Sequence, residues 1–255
     1  FRKLASTLGR FEQAYVLATG PSIANYRRYD YSNALTIVCN SVINDDELMD
    51  FVQPQILVFA DPIFHFGPSQ YAAKFRATLA RSAEKYDYTI CIPIKYYPLF
   101  TAVMPELAER TIAIPFLKDR KFNFDLNKEF EVKTTANILT FLMVPLASTF
   151  AERIGFLGCD GRPLIENTYF WGHHSNVQFN DKMANIRAVH PGFFNIDYND
   201  YYLEHCQTLE AQLADGEAIG KKFISLGFSH IPALSKRSAG VGKSSSGSHR
   251  SEHDK

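Results

Sequence analysis

The sequence predicts an α/β fold: a Rossmann-like, mostly parallel sheet flanked by helices, with a lid segment. Three observations carry this reading. Short apolar runs rich in β-formers recur along the chain, most of them continuous rather than alternating, as expected of strands covered on both faces. Helical patterns lie between them, so the order is that of a doubly wound sheet. Several runs end in a small cluster of glycine, asparagine or aspartate, at the strand ends where such sheets place ligands.

The predicted strands are residues 15–18, 36–39, 55–60, 88–92, 111–114, 153–157 and 222–226. The clearest helices are 70–85, 134–152 and 199–222. Thr134 or Thr135 can cap the second of these, and Ile138, Leu139, Leu142 and Met143 give it an apolar stripe. Pro145 predicts a kink or an early end. Residues 161–197 lack long periodicity and are rich in aromatics, histidine and asparagine, which suits a functional lid. We read residues 1–235 as one domain and the low-complexity 236–255 as a disordered tail.

Composition narrows the class. Hydrophobic residues make up 46% of the 255, enough for a sizeable core. The 27 basic residues balance 27 acidic ones, so no global field attracts nucleic acid. No apolar run reaches the roughly 18 residues of a membrane span. Cys39, Cys91, Cys159 and Cys206 form no CxxC pair and read as reduced thiols, which places the chain in the cytoplasm. Phe1 in first place suggests a module of a longer chain.

Chemistry gathers at the strand ends. After the first strand, Thr19-Gly20-Pro21-Ser22 turns into a helix start. Gly20 allows close approach, Pro21 suits a first helical turn and Ser22 can cap or donate, while free amides there could hold a phosphate. An ordinary tight turn is the competing reading, since neither GK[ST] nor GxGxxG is present. Asn40 ends the second strand and Asp61 the third, offering contacts to a base, a sugar hydroxyl or a proton in flight. "GCDGR" repeats the arrangement with Gly158, Asp160 and a candidate phosphate clamp, Arg162. His173, His174 and His190 follow among aromatics, without HxxxH or HExxH. One of them as a general base is more plausible than a metal ligand set, and no Asp-x-Asp offers to hold a metal-bound diphosphate.

Taken in order, "ATGPSI", "CNS", "KTTAN" and "GCDG" resemble the islands of bacterial sialyltransferases of glycosyltransferase family 42. They are also similar to the flagellin-modifying motility-associated transferases and MptE-like proteins. The resemblance implies a variant glycosyltransferase-A-like fold with a lid that closes over a CMP-sugar. It implies metal-independent transfer of a sialic-acid-like or Kdo-type 2-keto sugar acid to a surface glycan of capsule or lipopolysaccharide, with no cofactor beyond the donor substrate. On that resemblance Thr19, Gly20, Pro21, Ser22, Asn40, Thr134, Thr135, Gly158, Asp160, Arg162 and Tyr169 would bind the donor. Thr19 replaces the family's usual asparagine and Arg162 a usual tyrosine. His190 in "VHPGF" would be the catalytic base, with His174 in reserve and Asp61 a further catalytic candidate. The expected partners are the CMP-sugar and a glycan acceptor, not nucleic acid. Peripheral association with the inner face of the membrane and homo-oligomerisation stay open. The alternatives are a Mg²⁺-dependent pterin diphosphokinase of the MptE kind, with Asp61 and Asp160 on the metal, and a non-catalytic nucleotide-binding module.

Overall fold

The structure is a computed structural model that describes residues 1–163, 165, 177, 179, 182, 188–189 and 197–239. Its strands are β1 (Phe11–Leu17), β2 (Ala34–Cys39), β3 (Ile56–Val58), β4 (Thr89–Pro93), β5 (Thr111–Ile114), β6 (Phe116–Leu117), β7 (Val132–Lys133), β8 (Ala151–Leu157) and β9 (Lys222–Ser225). Seven of them form one sheet in the order β5-β4-β3-β2-β1-β8-β9, and every pairing in it is parallel. The chain runs outward from β1 to β5, then crosses back to lay β8 on the other side of β1. The reversal therefore lies between β1 and β8. Strands β6 and β7 form a separate two-stranded ladder.

The helices are α1 (Arg2–Leu8), α2 (Asp46–Val52), α3 (Pro62–Phe66), α4 (Gln70–Lys85), α5 (Tyr97–Val103), α6 (Val144–Phe150), α7 (Tyr198–Ala218) and α8 (Pro232–Ser235). Their starts follow from local chemistry. Ser69 Oγ accepts from Ala72 N at 3.0 Å to open α4, and the Asp197 side chain accepts from Asn199 N and Asp200 N to open α7. Two cores sandwich the sheet. One gathers Val16, Ile37 and Phe156 with Leu142 and Leu213; the other gathers Leu17, Val38 and Leu57 with Phe75 and Leu79.

The predicted helix 134–152 differs from what forms. Thr134 N donates to Leu117 O, continuing the β7 ladder, so neither threonine caps a helix. Asn137 does that work, its Oδ1 accepting from Leu139 N at 2.9 Å. Leu139–Met143 is a π turn, and α6 follows with Pro145 in its first turn, where a missing N–H costs least. The chain also folds past the expected domain end. Ser225 N donates to Arg237 O, Ala239 N to Ser225 O, and Arg237 pairs with Glu217 and Glu210. Most of the expected lid, and residues 240–255, lie outside the described residues.

Candidate active site

The carboxyl ends of β1, β2, β3 and β8 open onto two adjoining cavities. The smaller, about 190 Å³, sits at the β1–β8 reversal, between Thr19-Gly20 and Gly158-Asp160. The larger, about 360 Å³, lies over β2 and β3 and is lined by Asp61, His65, Tyr96 and Thr135 among others. Thr19, Asn40, Asn137 and Tyr201 belong to both walls. A crevice at the point where strand order reverses is where open α/β sheets bind ligands.

Glycine is required on both sides of that crevice. A Cβ on Gly158, whose φ is +72°, would stand 2.1 Å from Ala18 O. One on Gly20 would stand 2.2 Å from Asp160 Oδ2. The two turns are stitched together: Gly20 N donates to Gly158 O at 2.8 Å, and Gly158 N donates to Ser22 Oγ at 2.9 Å. Ser22 Oγ donates in turn to Asp160 Oδ2 at 2.9 Å, and Ser22 N donates to the same carboxylate. Burial raises the Asp160 carboxyl above its ordinary range, against the lowering effect of these bonds.

This corrects two expectations. The amides of Gly20, Ser22 and Ile23 all donate within the protein, Ile23 N to Gly20 O, so the turn does not present them to a phosphate. Arg162 is no surface clamp either. Its side chain is buried over the Tyr202 ring and donates to Pro163 O, Tyr198 O and Asn199 Oδ1. It binds the start of α7 to the end of β8, because a buried guanidinium needs its donors satisfied.

The larger cavity is different in kind. Asn40 holds a left-handed conformation, φ +49°, which few residues other than glycine adopt and which clusters at functional sites. Asp61 caps α3 through Oδ1 alone, accepting from Ile63 N at 2.8 Å and Phe64 N at 2.9 Å. Oδ2 has no hydrogen bond among the described residues. Burial, and secondarily the charge of Asp61, raises the phenols of Tyr96 and Tyr201, the latter to about 12. Tyr201 OH donates to Ala136 O at 2.7 Å, and Thr140 Oγ1 to Thr135 Oγ1 at 2.9 Å.

Of the expected site residues, Thr19, Gly20, Asn40, Asp61, Thr135, Gly158 and Asp160 come together on these walls. Pro21, Ser22 and Thr134 do not line either cavity. Tyr169, His173, His174 and His190 lie outside the described residues. Sequence reasoning missed two histidines, His65 on the larger cavity and His205 on the smaller. The signal for His65 was its place four residues after Asp61, one helical turn on; for His205 it was its place in line with Tyr202 and Leu209 on the inner face of α7. The four cysteines are free thiols, and burial pushes Cys39 up to about 12. Among the described residues no group of acidic, histidine and cysteine side chains is arranged to hold a metal, and no helix is long and apolar enough to cross a membrane.

No protein-family model matches the chain, and no curated protein does. Solved structures of Campylobacter jejuni sialyltransferases do show a likeness. The monofunctional α-2,3-sialyltransferase Cst-I is 14% identical with a TM-score of 0.45, over 85% of this chain and 76% of its own. CstII in complex with cytidine-5'-monophosphate is 12% identical with a TM-score of 0.48, over 89% and 87%. CstII with CMP-3FNeuAc is 12% identical with a TM-score of 0.47, over 88% of both chains.

Proposed function

We propose that this chain is a glycosyltransferase that uses a CMP-activated sugar, a sialic-acid-like or Kdo-type 2-keto sugar acid, and transfers it without a metal to a surface glycan. The observation that carries this reading is the paired cavity at the β1–β8 reversal. The small, glycine-walled crevice suits a nucleoside. The larger polar cavity continues from it across Thr19 and Asn40 and suits the sugar and the attacking hydroxyl.

Transfer requires the acceptor hydroxyl to lose its proton as the glycosidic bond breaks, and the departing phosphate to be held. Asp61 Oδ2 on the cavity wall is one acceptor for that proton; His190, with His174 in reserve, is the base proposed from the resemblance. With Arg162 and the turn amides engaged, the phosphate contacts fall to Thr19, Asn40 and Tyr169. These are neutral donors, adequate for a monophosphate leaving group.

Calorimetric titration with CMP, CDP and ATP, each with EDTA and with Mg²⁺, tests the reading. CMP or CDP binding that EDTA leaves unchanged is the expected result. ATP binding that appears only with Mg²⁺ would sink it.

A further inference from the structure

His65 is buried, 4% exposed, with its ring 4.4 Å from that of Phe75 and 5.2 Å from that of Phe59 between centroids. It nevertheless lines the larger cavity beside Asp61. Its Nδ1 is sealed from solvent without a well-formed hydrogen bond to any described residue. Burial holds the imidazole down to about 4, with the Asp61 charge and backbone opposing, so the ring is neutral near pH 7. A phenylalanine would fill this aromatic cage without leaving a polar atom unpaired. A ring nitrogen on the cavity wall is what phenylalanine could not supply.

We infer that His65 is a further substrate-positioning residue of this site, its Nε2 accepting a hydrogen bond from a hydroxyl of the donor's sugar. The inference rests on the CMP-sugar reading. Nδ1 is sealed in the cage, so Nε2 is the ring nitrogen left to meet a ligand, and in the neutral tautomer protonated on Nδ1 it is a bare acceptor. On the same cavity wall stands Asp61, whose Oδ2 has no hydrogen bond among the described residues and is also an acceptor. Together they make a wall that takes hydroxyl donors and repels carboxylate and phosphate. The hydroxyl-bearing face of the sugar therefore turns to Asp61 and His65, and its carboxylate away from them, towards neutral lining groups such as Thr135 and Asn137.

The test compares the affinities of CMP and of CMP-N-acetylneuraminic acid for the intact chain and for His65→Phe and His65→Gln. We expect His65→Phe to keep the CMP affinity, to raise the melting temperature, and to lose about tenfold in affinity for the CMP-sugar, the size of one neutral hydrogen bond. His65→Gln, which puts an amide near the Nε2 position, should recover most of that loss. An unchanged CMP-sugar affinity in His65→Phe overturns the inference and leaves the nucleotide reading standing. Parallel loss of CMP affinity and melting temperature in both variants assigns His65 to packing and overturns it too. Failure of the unsubstituted chain to bind CMP removes the reading and the inference with it.

Discussion

The two adjoining cavities differ in how completely their polar groups are used. In the β1–β8 crevice, the turn residues Gly20, Ser22, Gly158 and Asp160 bond to one another, so the two turns offer mainly shape and the polar capacity is left to side chains such as Thr19, Asn40 and His205. Around the larger cavity Asp61 keeps one oxygen without a hydrogen bond among the described residues, Asn40, shared with the crevice, sits in a left-handed backbone conformation, and His65 Nδ1, like His205 Nδ1 beside the crevice, is unsatisfied. A region whose hydrogen bonds close on themselves sets geometry. A region that leaves them open has capacity for a ligand.

The largest effect that would sharpen this contrast is acid lability. Burial lowers both His65 and His205 to about 4, from an ordinary 6.5. The unfolded chain therefore takes up two protons that the folded chain refuses. Stability is full above pH 6.5 and falls as pH drops from there towards 4, by roughly 3 kcal/mol per histidine. Urea midpoints across that range should show the loss, and His205→Phe should remove half of it. A flat profile would mean that neither ring is sealed.

Next comes a pair of substitutions, one in each region. Ser22→Ala removes the hydroxyl that serves Gly158 N and Asp160 at once, leaving a half-buried carboxylate short of a donor. It should cost about 2–3 kcal/mol by denaturant unfolding. Asp61→Asn keeps an oxygen to cap α3 and should cost under about 0.5 kcal/mol, while turnover of a CMP-sugar falls at unchanged CMP affinity. Equal stability losses at the two positions would break the comparison.

A third substitution, at Asn40, probes the residue that the two cavities share. Glycine accepts φ +49° without strain, so Asn40→Gly should stabilise the fold by about 0.5–1 kcal/mol. Because the side chain is lost from both cavity walls, CMP affinity should fall. Stability and binding moving together in the same direction would argue against a ligand role for Asn40.

The sheet was largely legible because buried parallel strands are written as continuous apolar runs. Strand β2, predicted over 36–39, spans Ala34–Cys39 with all six residues buried. Helix α4, predicted over 70–85, forms over its full length, and the structure adds the Ser69 cap that fixes its start. Short helices were not seen. Helix α3 has five residues, too few to show a period, and Asp61-Pro62 was read as a ligand site when it is also an N-cap followed by proline in the first turn. The candidate site was legible where a strand end coincides with glycine, asparagine or aspartate. Arg162 was misread because no local pattern announces that α7, 36 residues further on, will cover it. The closed set of bonds at Ser22 was hidden for the same reason, its partner Asp160 being 138 residues away.

The place of β1 in the sheet also governs when the crevice can exist. Gln13 and Arg153 are register partners, yet 140 residues of chain separate them. During synthesis β1 can pair with β2 at once, while its other edge must wait for β8 to be made. Until then one long edge of a largely apolar central strand is uncovered, a template for pairing with the wrong chain. The crevice between β1 and β8 is thus among the last features to form, and any ligand that it holds would report on chains completed at least through β8.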